Sequence, residues 1–504
     1  MRSLMMLPAA TFADLPVHCL HHEVVGQWNF YVSPMTTKRS SCGHHHPDLP
    51  EVQPHHELKT RNHEVISVNL EAPAKVSSPA GTGKWSMIYD EGLTASINDL
   101  TFTAFSFFTL NGETNTSYCG QTHAGWVVNE KAGTWGCFYG EKANPEPGMV
   151  LQEQSKPSLI ESGSVPSVHH SADYSKPLAM EDHQAKVAFI NSQVTTWTAT
   201  AYPQFDGLSL EQMNRRAGLR RSQMPSEARK QNKRLMLAQI RAKDDDLPSD
   251  FSWANRSGVN FVGEVVDQGQ CGSCYVHSTV GMLSARHRIK TNDTDFEGWS
   301  VQFPLFCSEY NQGCKGGYPM LLSQWSDHVG LVPEHCARYR EGDMRCKTRC
   351  TDEEALVQGK RWRATATSYV GGYYGSTDEA SMRREIYENG PIAAAFEPKD
   401  DFMYYQKGIY SSLPESQAQE WQQVDHAILV VGWGEDKGVK YWTIKNSWGD
   451  SWGEAGFFRM ARGGDDSAIE SVAVRADVVE DTRGMSMVQF AADAQRMKDH
   501  AIPE

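Results

Sequence analysis

Gln268-Gly269-Gln270-Cys271-Gly272-Ser273-Cys274-Tyr275 is the stretch that decides the fold of this chain. Cys274 follows a turn and opens an apolar run, Tyr275 to Ile289, that reads as a helix. A helix N-terminus favours negative charge, so a thiol there has a lowered pKa and a raised thiolate fraction. Cys271 is a candidate for a structural bridge, and Gln268 offers a side-chain amide that can donate to an oxyanion. Alone, Cys-x-x-Cys is a weak signal, equally suited to a redox pair or half of a zinc site.

A thiolate needs a base. The strong downstream candidate is His426, in Val424-Asp425-His426-Ala427-Ile428-Leu429-Val430-Val431-Gly432-Trp433-Gly434. Asn446 follows in Lys445-Asn446-Ser447-Trp448-Gly449-Asp450-Ser451-Trp452-Gly453. A histidine ahead of an apolar run is usually a core residue, but Cys274, His426 and Asn446 in this order make it a base. Cys-Gly-x-Cys-Tyr with distant His and Asn resembles the signature of papain-like cysteine peptidases. On that reading Cys274 is the nucleophile, His426 takes its proton, and Asn446 fixes the ring. Trp448 shields the His426–Asn446 bond from water. The Gln268 side chain and the backbone N–H of Cys274 stabilise the oxyanion.

Of the eleven cysteines, removal of Cys274 leaves an even number, enough for five bridges. That suggests an oxidising, secretory or lysosome-like route, whether to a vacuole or to the outside. Sequons at Asn115, Asn255 and Asn292 agree with it. Residues 1–13 read as a short signal peptide, with Arg2, an apolar run and Ala13 before the cut. No apolar run is long enough for a membrane span. With 504 residues and net charge −14, the chain has room for two or three cored domains and is a poor partner for nucleic acid.

From Val24 to about Tyr139 the text alternates as strands do, at Trp28–Val32, Val65–Val68, Trp85–Tyr89 and Phe102–Phe107. An antiparallel β domain or barrel is expected over 14–145. A Pro-, Glu- and Ser-rich linker and a pro-segment with basic clusters occupy 146–246, exposed basic loops being open to processing. The alternative for the basic clusters is a solvated helical face. The catalytic domain spans 247–478, with helices at 274–289 and 379–389 and strands at 428–431 and 441–445. A tail covers 479–504. The fold class is α+β: a two-lobe papain-like domain, one lobe helical and one a β-barrel, preceded by an antiparallel barrel.

Further words narrow the resemblance. Gly258-Val259-Asn260-Phe261-Val262 precedes the nucleophile; Cys307-Ser308-Glu309-Tyr310-Asn311-Gln312-Gly313-Cys314 and Tyr369-Val370-Gly371-Gly372-Tyr373-Tyr374-Gly375 follow it. These are similar to the cathepsin C, or dipeptidyl peptidase I, family. So are Gly26-Gln27-Trp28, Thr134 to Gly140, Thr195 to Thr200 and Asn214-Arg215-Arg216, which extends the likeness from about residue 14 to about 475. In that family an N-terminal exclusion barrel blocks the cleft beyond the second substrate residue, so dipeptides leave free N-termini. The resemblance gives Asp14 the role of holding the substrate α-amine, a charge-assisted bond that a blocked amine cannot make. It implies bridges Cys19–Cys119, Cys42–Cys137, Cys271–Cys314, Cys307–Cys346 and Cys336–Cys350, and, by analogy, a homo-tetramer acting on peptides and proteins with free N-termini. Substrate would lie along Gly316, Gly317, Pro319, Met320 and Val472, the glycines permitting close backbone approach. No cofactor is required. The family binds chloride near this pocket through a tyrosine, but Met320 stands here and a thioether cannot donate to an anion. Ser411 to Asp425 lacks Arg and Lys, which argues against trypsin-like cleavage there. The clusters His44-His45-His46 and His55-His56 read as a solvated loop rather than a metal site.

Two rivals stand beside the dipeptidyl aminopeptidase. One is a papain-like endopeptidase whose N-terminal domain is only a scaffold or inhibitor. The other is a binding protein that kept the fold without catalysis.

Overall fold

The computed structural model describes residues 17–44, 64–111, 114–145, 148–152, 176–209, 212–213, 216, 222–225, 247–342, 344–413, 421–424 and 426–500. Asp14, the signal peptide, His45, His46, His55, His56 and most of the basic clusters lie outside these residues.

Alternation in the N-terminal part becomes an antiparallel barrel. Strand Gly26–Val32 buries Trp28, Phe30 and Val32 and turns the residues between them outward. It pairs with Glu64–Glu71 on one side and Thr134–Lys142 on the other, closing a ring of eight strands. The others are Lys75–Ser78, Gly81–Ile88, Gly92–Ile97, Leu100–Asn111 and Gly125–Asn129. Closure removes free strand edges. Inside, Phe30, Phe102 and Phe138 pack with ring centroids 4.9–5.1 Å apart. Bridges Cys19–Cys119 and Cys42–Cys137 tie the flanking chain to the wall.

Two expectations are corrected here. Strand Met149–Gln152 pairs with Thr114–Thr122, so part of the expected linker belongs to the barrel sheet. His44 is not in a solvated loop. It is buried, with Nε2 bonded to the Ala124 carbonyl and its ring against Trp126, which rules it out as a surface metal ligand.

The catalytic part has two lobes. One is built on the helices Cys274–Thr291, Gln302–Cys307 and Pro319–Val329. Bridges Cys271–Cys314, Cys307–Cys346 and Cys336–Cys350 hold this lobe, each closing a loop whose unfolded entropy is worth about 3–4 kcal/mol. The other is a largely antiparallel sheet in which strand His426–Asp436 lies between Val439–Lys445 and Ile392–Phe396. Strand Trp197–Ala199, from the expected pro-segment, forms an edge of this sheet against Tyr405–Tyr410. His183 Nδ1 is bonded to the Tyr404 hydroxyl at 2.8 Å, and the Tyr202 hydroxyl donates to the Tyr405 carbonyl. The segment is thus built into the lobe rather than laid loosely over it.

The tail also folds. Helix Met487–His500 places Phe490 against Phe303 and Trp325. Arg39 of the barrel domain sits over Phe490 and pairs with Glu309, both partners buried. The barrel is thereby clamped to the helical lobe. Among the described residues, no helix is long and apolar enough to cross a membrane.

Candidate active site

Cys274 is the first residue of the central helix and is fully buried. Among the described residues it is the cysteine that forms no disulfide. The helix dipole favours the thiolate at this position. Across the seam, His426 opens its strand, and the next residue, Ala427, directs its N–H to Cys274 Sγ at 3.4 Å. Sequence order and tertiary folding therefore bring the two residues side by side. His426 Nε2 is bonded to Asn446 Oδ1 at 2.9 Å. Its Nδ1 makes no hydrogen bond among the described residues, so this nitrogen is left for the sulfur.

The imidazole is held between Trp448, with centroids 4.9 Å apart, and Phe396, at 5.7 Å. Trp448 is fully buried and covers the His426–Asn446 bond. Burial pushes His426 down to about 4, opposed by the bond from Asn446. An imidazolium in this place needs the thiolate as counter-ion, so the two groups ionise together. Cys274→Ala is expected to lower the His426 pKa relative to the parent enzyme, because it removes the anion that stabilises the cation. Titration by NMR reads this directly, and an unchanged or higher value would contradict the pairing.

Gln268 is fully buried beside the nucleophile. Its Oε1 accepts from the Ser447 hydroxyl at 2.6 Å, which fixes the amide plane. Its Nε2 donates to the Cys271 carbonyl at 2.9 Å and to the Arg216 carbonyl at 2.7 Å. Arg216 belongs to the expected pro-segment, and its side chain is anchored to Asp267. Strand Ser222–Pro225 of the same segment pairs with Trp421–Val424, immediately before His426. A carbonyl of the chain itself thus occupies the donor expected to receive the substrate oxyanion.

The substrate-side residues are also close-packed. A Cβ on Gly317 would stand 2.4 Å from Asn311 Oδ1 and 2.6 Å from the Tyr275 ring, so only glycine fits. Gly316 has φ 112°, a conformation that favours glycine. Pro319 begins a helix and Met320 is buried in its first turn. Val472 pairs with Ala395, next to the Phe396–His426 pair. Asn255 and Asn292 are exposed, the latter in a left-handed helix cap; Asn115 lies on strand Thr114–Thr122.

Sequence reasoning missed the tip of one barrel hairpin. Tyr89, Asp90 and Glu91 join strands Gly81–Ile88 and Gly92–Ile97 and are buried against the catalytic domain. Tyr89 packs at an angle against Tyr318 and Tyr374 and edge-on to Tyr369, and its N–H donates to the Tyr369 hydroxyl. The Tyr318 hydroxyl donates to Glu91. Tyr89 has φ 50°, strain that a bulky residue bears only where its surroundings impose it. Burial pushes its hydroxyl well above the usual range, with Tyr369, Tyr374, Glu91 and Cys274 adding to the effect. The alternation suggested a strand through Tyr89, but the strand ends at Ile88 and Tyr89 opens the turn; no local signal shows what the tip meets.

Comparison with known proteins agrees with this arrangement. Residues 247–476 match the family described as papain family cysteine protease, and residues 14–142 match the cathepsin C exclusion domain. The chain belongs to the papain family of cysteine proteases. It is similar to cathepsin C of Schistosoma mansoni, 29% identical over 493 residues, covering 93% of this chain and 96% of that one. Cathepsin B-like CP2 of Giardia intestinalis is 36% identical over 45% of this chain and 74% of its own. Dipeptidyl aminopeptidase 1 of Plasmodium falciparum (isolate 3D7) is 30% identical over 45% of this chain and 44% of its own. This chain is a cysteine peptidase homologous to cathepsin C.

Proposed function

We propose that the protein is a dipeptidyl aminopeptidase that removes dipeptides from free N-termini through a thiolate acyl-enzyme. The observation that carries this reading is the hairpin tip Tyr89-Asp90-Glu91, buried against Tyr318 beside Gly316 and Gly317. A barrel docked there stops an extended substrate from running through the cleft. The N-terminal chain is tied to the same tip: Cys19 N–H donates to the Asp90 carbonyl at 2.6 Å, and His18 Nδ1 is bonded to Asp90 Oδ2 at 2.7 Å. Asp14 is four residues before His18 in the sequence, and the family resemblance gives it the role of holding the substrate amine. The test compares release of a reporter from a free dipeptide and from its acetylated twin.

In the reaction Cys274 attacks the second peptide carbonyl while His426 holds the proton, then passes it to the leaving amine. Asn446 and Trp448 keep the ring in place. Gln268 receives the oxyanion once the Arg216 carbonyl has left, so the segment is inhibitory until displaced. Asp14→Ala is expected to raise KM for dipeptide substrates by about 10-fold or more while leaving Cys274 alkylation unchanged, as loss of one charge-assisted bond should. Equal loss of both would count against the amine clamp. Activity is expected to be the same in chloride and in acetate buffers, because the side chain at 320 is a thioether. A chloride requirement would overturn that expectation.

The oxidising compartment implied by the bridges suits a secreted or lysosome-like peptidase, with peptides and proteins as its partners. Assembly as a homo-tetramer rests on family analogy.

A further inference from the structure

Residues 338–349 carry five of the chain's 48 Lys and Arg side chains, although the chain as a whole has net charge −14. Two disulfides fix this segment. Cys346 is bridged to Cys307 and Cys350 to Cys336, and all four cysteines are buried. The Arg349 N–H donates to the Cys336 carbonyl at 2.8 Å. The N–H groups of Arg340 and Cys346 donate to the side chains of Gln302 and Gln495, at 2.9 and 2.7 Å. With the cysteines turned inward, Arg338, Arg340, Arg345, Lys347 and Arg349 are all exposed.

The five basic residues surround one hollow of about 30 Å³, and no carboxylate lines it. Among the described residues none of the five forms an ion pair or donates a side-chain hydrogen bond. The acids nearest in the chain are directed elsewhere. Glu334 feels Arg338, but its carboxylate accepts from the N–H groups of Tyr339 and Val301. Glu341 is turned over Gly269, where a Cβ would collide with its carboxylate. The Asp343 side chain lies outside the described residues. On the C-terminal helix, Asp493 is paired with Arg496. Like charges held together on a rigid loop repel one another and raise the local concentration of anions. A hollow this small has no room for an organic body, which takes roughly 300 Å³ or more. It suits one tetrahedral oxyanion, to which arginine presents paired N–H donors.

We propose that this hollow docks a sulfated polysaccharide. One sulfate ester seats among the five cations, and sulfates of neighbouring sugars lie along Arg345, Lys347 and Arg349. The bridges imply an oxidising route, where sulfate esters rather than nucleic acids supply linear polyanions. A lipid surface fits less well. The large exposed apolar side chains of the described residues are Val65, Phe189, Val259, Val266, Tyr387 and Val488, and none lines the hollow to anchor it in a bilayer. None of Cys274, His426, Asn446 or Gln268 lines it either, so the site is separate from the peptide cleft.

The experiment is calorimetric titration of the full chain with a heparin hexasaccharide. The controls are the desulfated hexasaccharide, inorganic sulfate, polyglutamate and phosphatidylserine vesicles. The hexasaccharide is expected to bind at one site, at least about tenfold tighter than any control, the scale of one charge-assisted hydrogen bond. Binding should weaken as salt rises, because exposed charges are screened. The triple variant Arg345→Ser, Lys347→Ser, Arg349→Ser should weaken it at least about tenfold with the thermal transition retained, since exposed side chains without partners add little to stability. Lys131→Ser and Lys437→Ser, exposed cations of the barrel and of the sheet lobe, should change it by less than about twofold. Undiminished binding in the triple variant, or equal loss in the two distant variants, would overturn the proposal. So would polyglutamate or vesicles binding as tightly as the hexasaccharide, which would identify an acidic protein or a lipid surface as the partner. Inorganic sulfate binding as tightly would overturn it too, leaving only a free-ion site.

Discussion

Cys274→Ala is expected to abolish turnover, by at least about 10⁴-fold in kcat, because removal of a nucleophile leaves only what binding and the oxyanion site supply. Alanine cannot form the acyl-enzyme, and no second thiol is available: the ten other cysteines are paired in five bridges. The fold should survive. The substitution deletes one buried atom, a loss of about 1 kcal/mol at most on the scale of core truncations. The sulfur accepts only a weak hydrogen bond from Ala427 N–H, at 3.4 Å, and the strand after it is held by its neighbours on both sides. Activity within tenfold of the parent, with the thermal transition unchanged, would remove Cys274 from the mechanism.

Acetylation of the substrate amine is expected to lower kcat/KM by about 10³-fold or more. Two effects combine. The ammonium loses its charge-assisted bond to a carboxylate, and a site built to bond a polar group rejects an analogue that cannot by large factors. The acetyl group also needs space beyond the second residue, where Tyr89 and Glu91 are already packed against Tyr318. A blocked peptide cut as fast as the free one would instead identify an endopeptidase in which the barrel is only a scaffold. The rival without catalysis predicts no labelling of Cys274 by a thiol-directed probe.

Much of the catalytic machinery was legible in the chain because its chemistry is local. Cys274 at a helix start needs only the turn before it and the apolar run after it. The strand at 426–436 contains the apolar run Ala427–Val431, and the helix at 379–389 is bounded by Asp378, whose side chain caps Ser381 N–H, and by Gly390. Barrel strands were visible where one face is solvated, as in Trp28–Val32. Misreadings occurred where a partner far along the chain decides the outcome. His44 sits among histidines and Pro that suggest solvent, yet Ala124 and Trp126 bury it. Residues 149–152 carry no alternation of their own and become a strand only because Thr114–Thr122 offers an edge.

By itself the sequence pointed to Cys274 as nucleophile, His426 as base and Asn446 as orienting amide, and it carried the cysteine pairing by resemblance and a β domain ahead of a two-lobe catalytic domain. Only the tertiary structure decided that Tyr89-Asp90-Glu91 packs against Tyr318 and that the Arg216 carbonyl rests on Gln268. The reason is physical. Helix starts, strand alternation and reactive side chains are set by neighbours a few residues apart, whereas a docked hairpin tip or an unfilled volume depends on surfaces that meet only after the chain has folded.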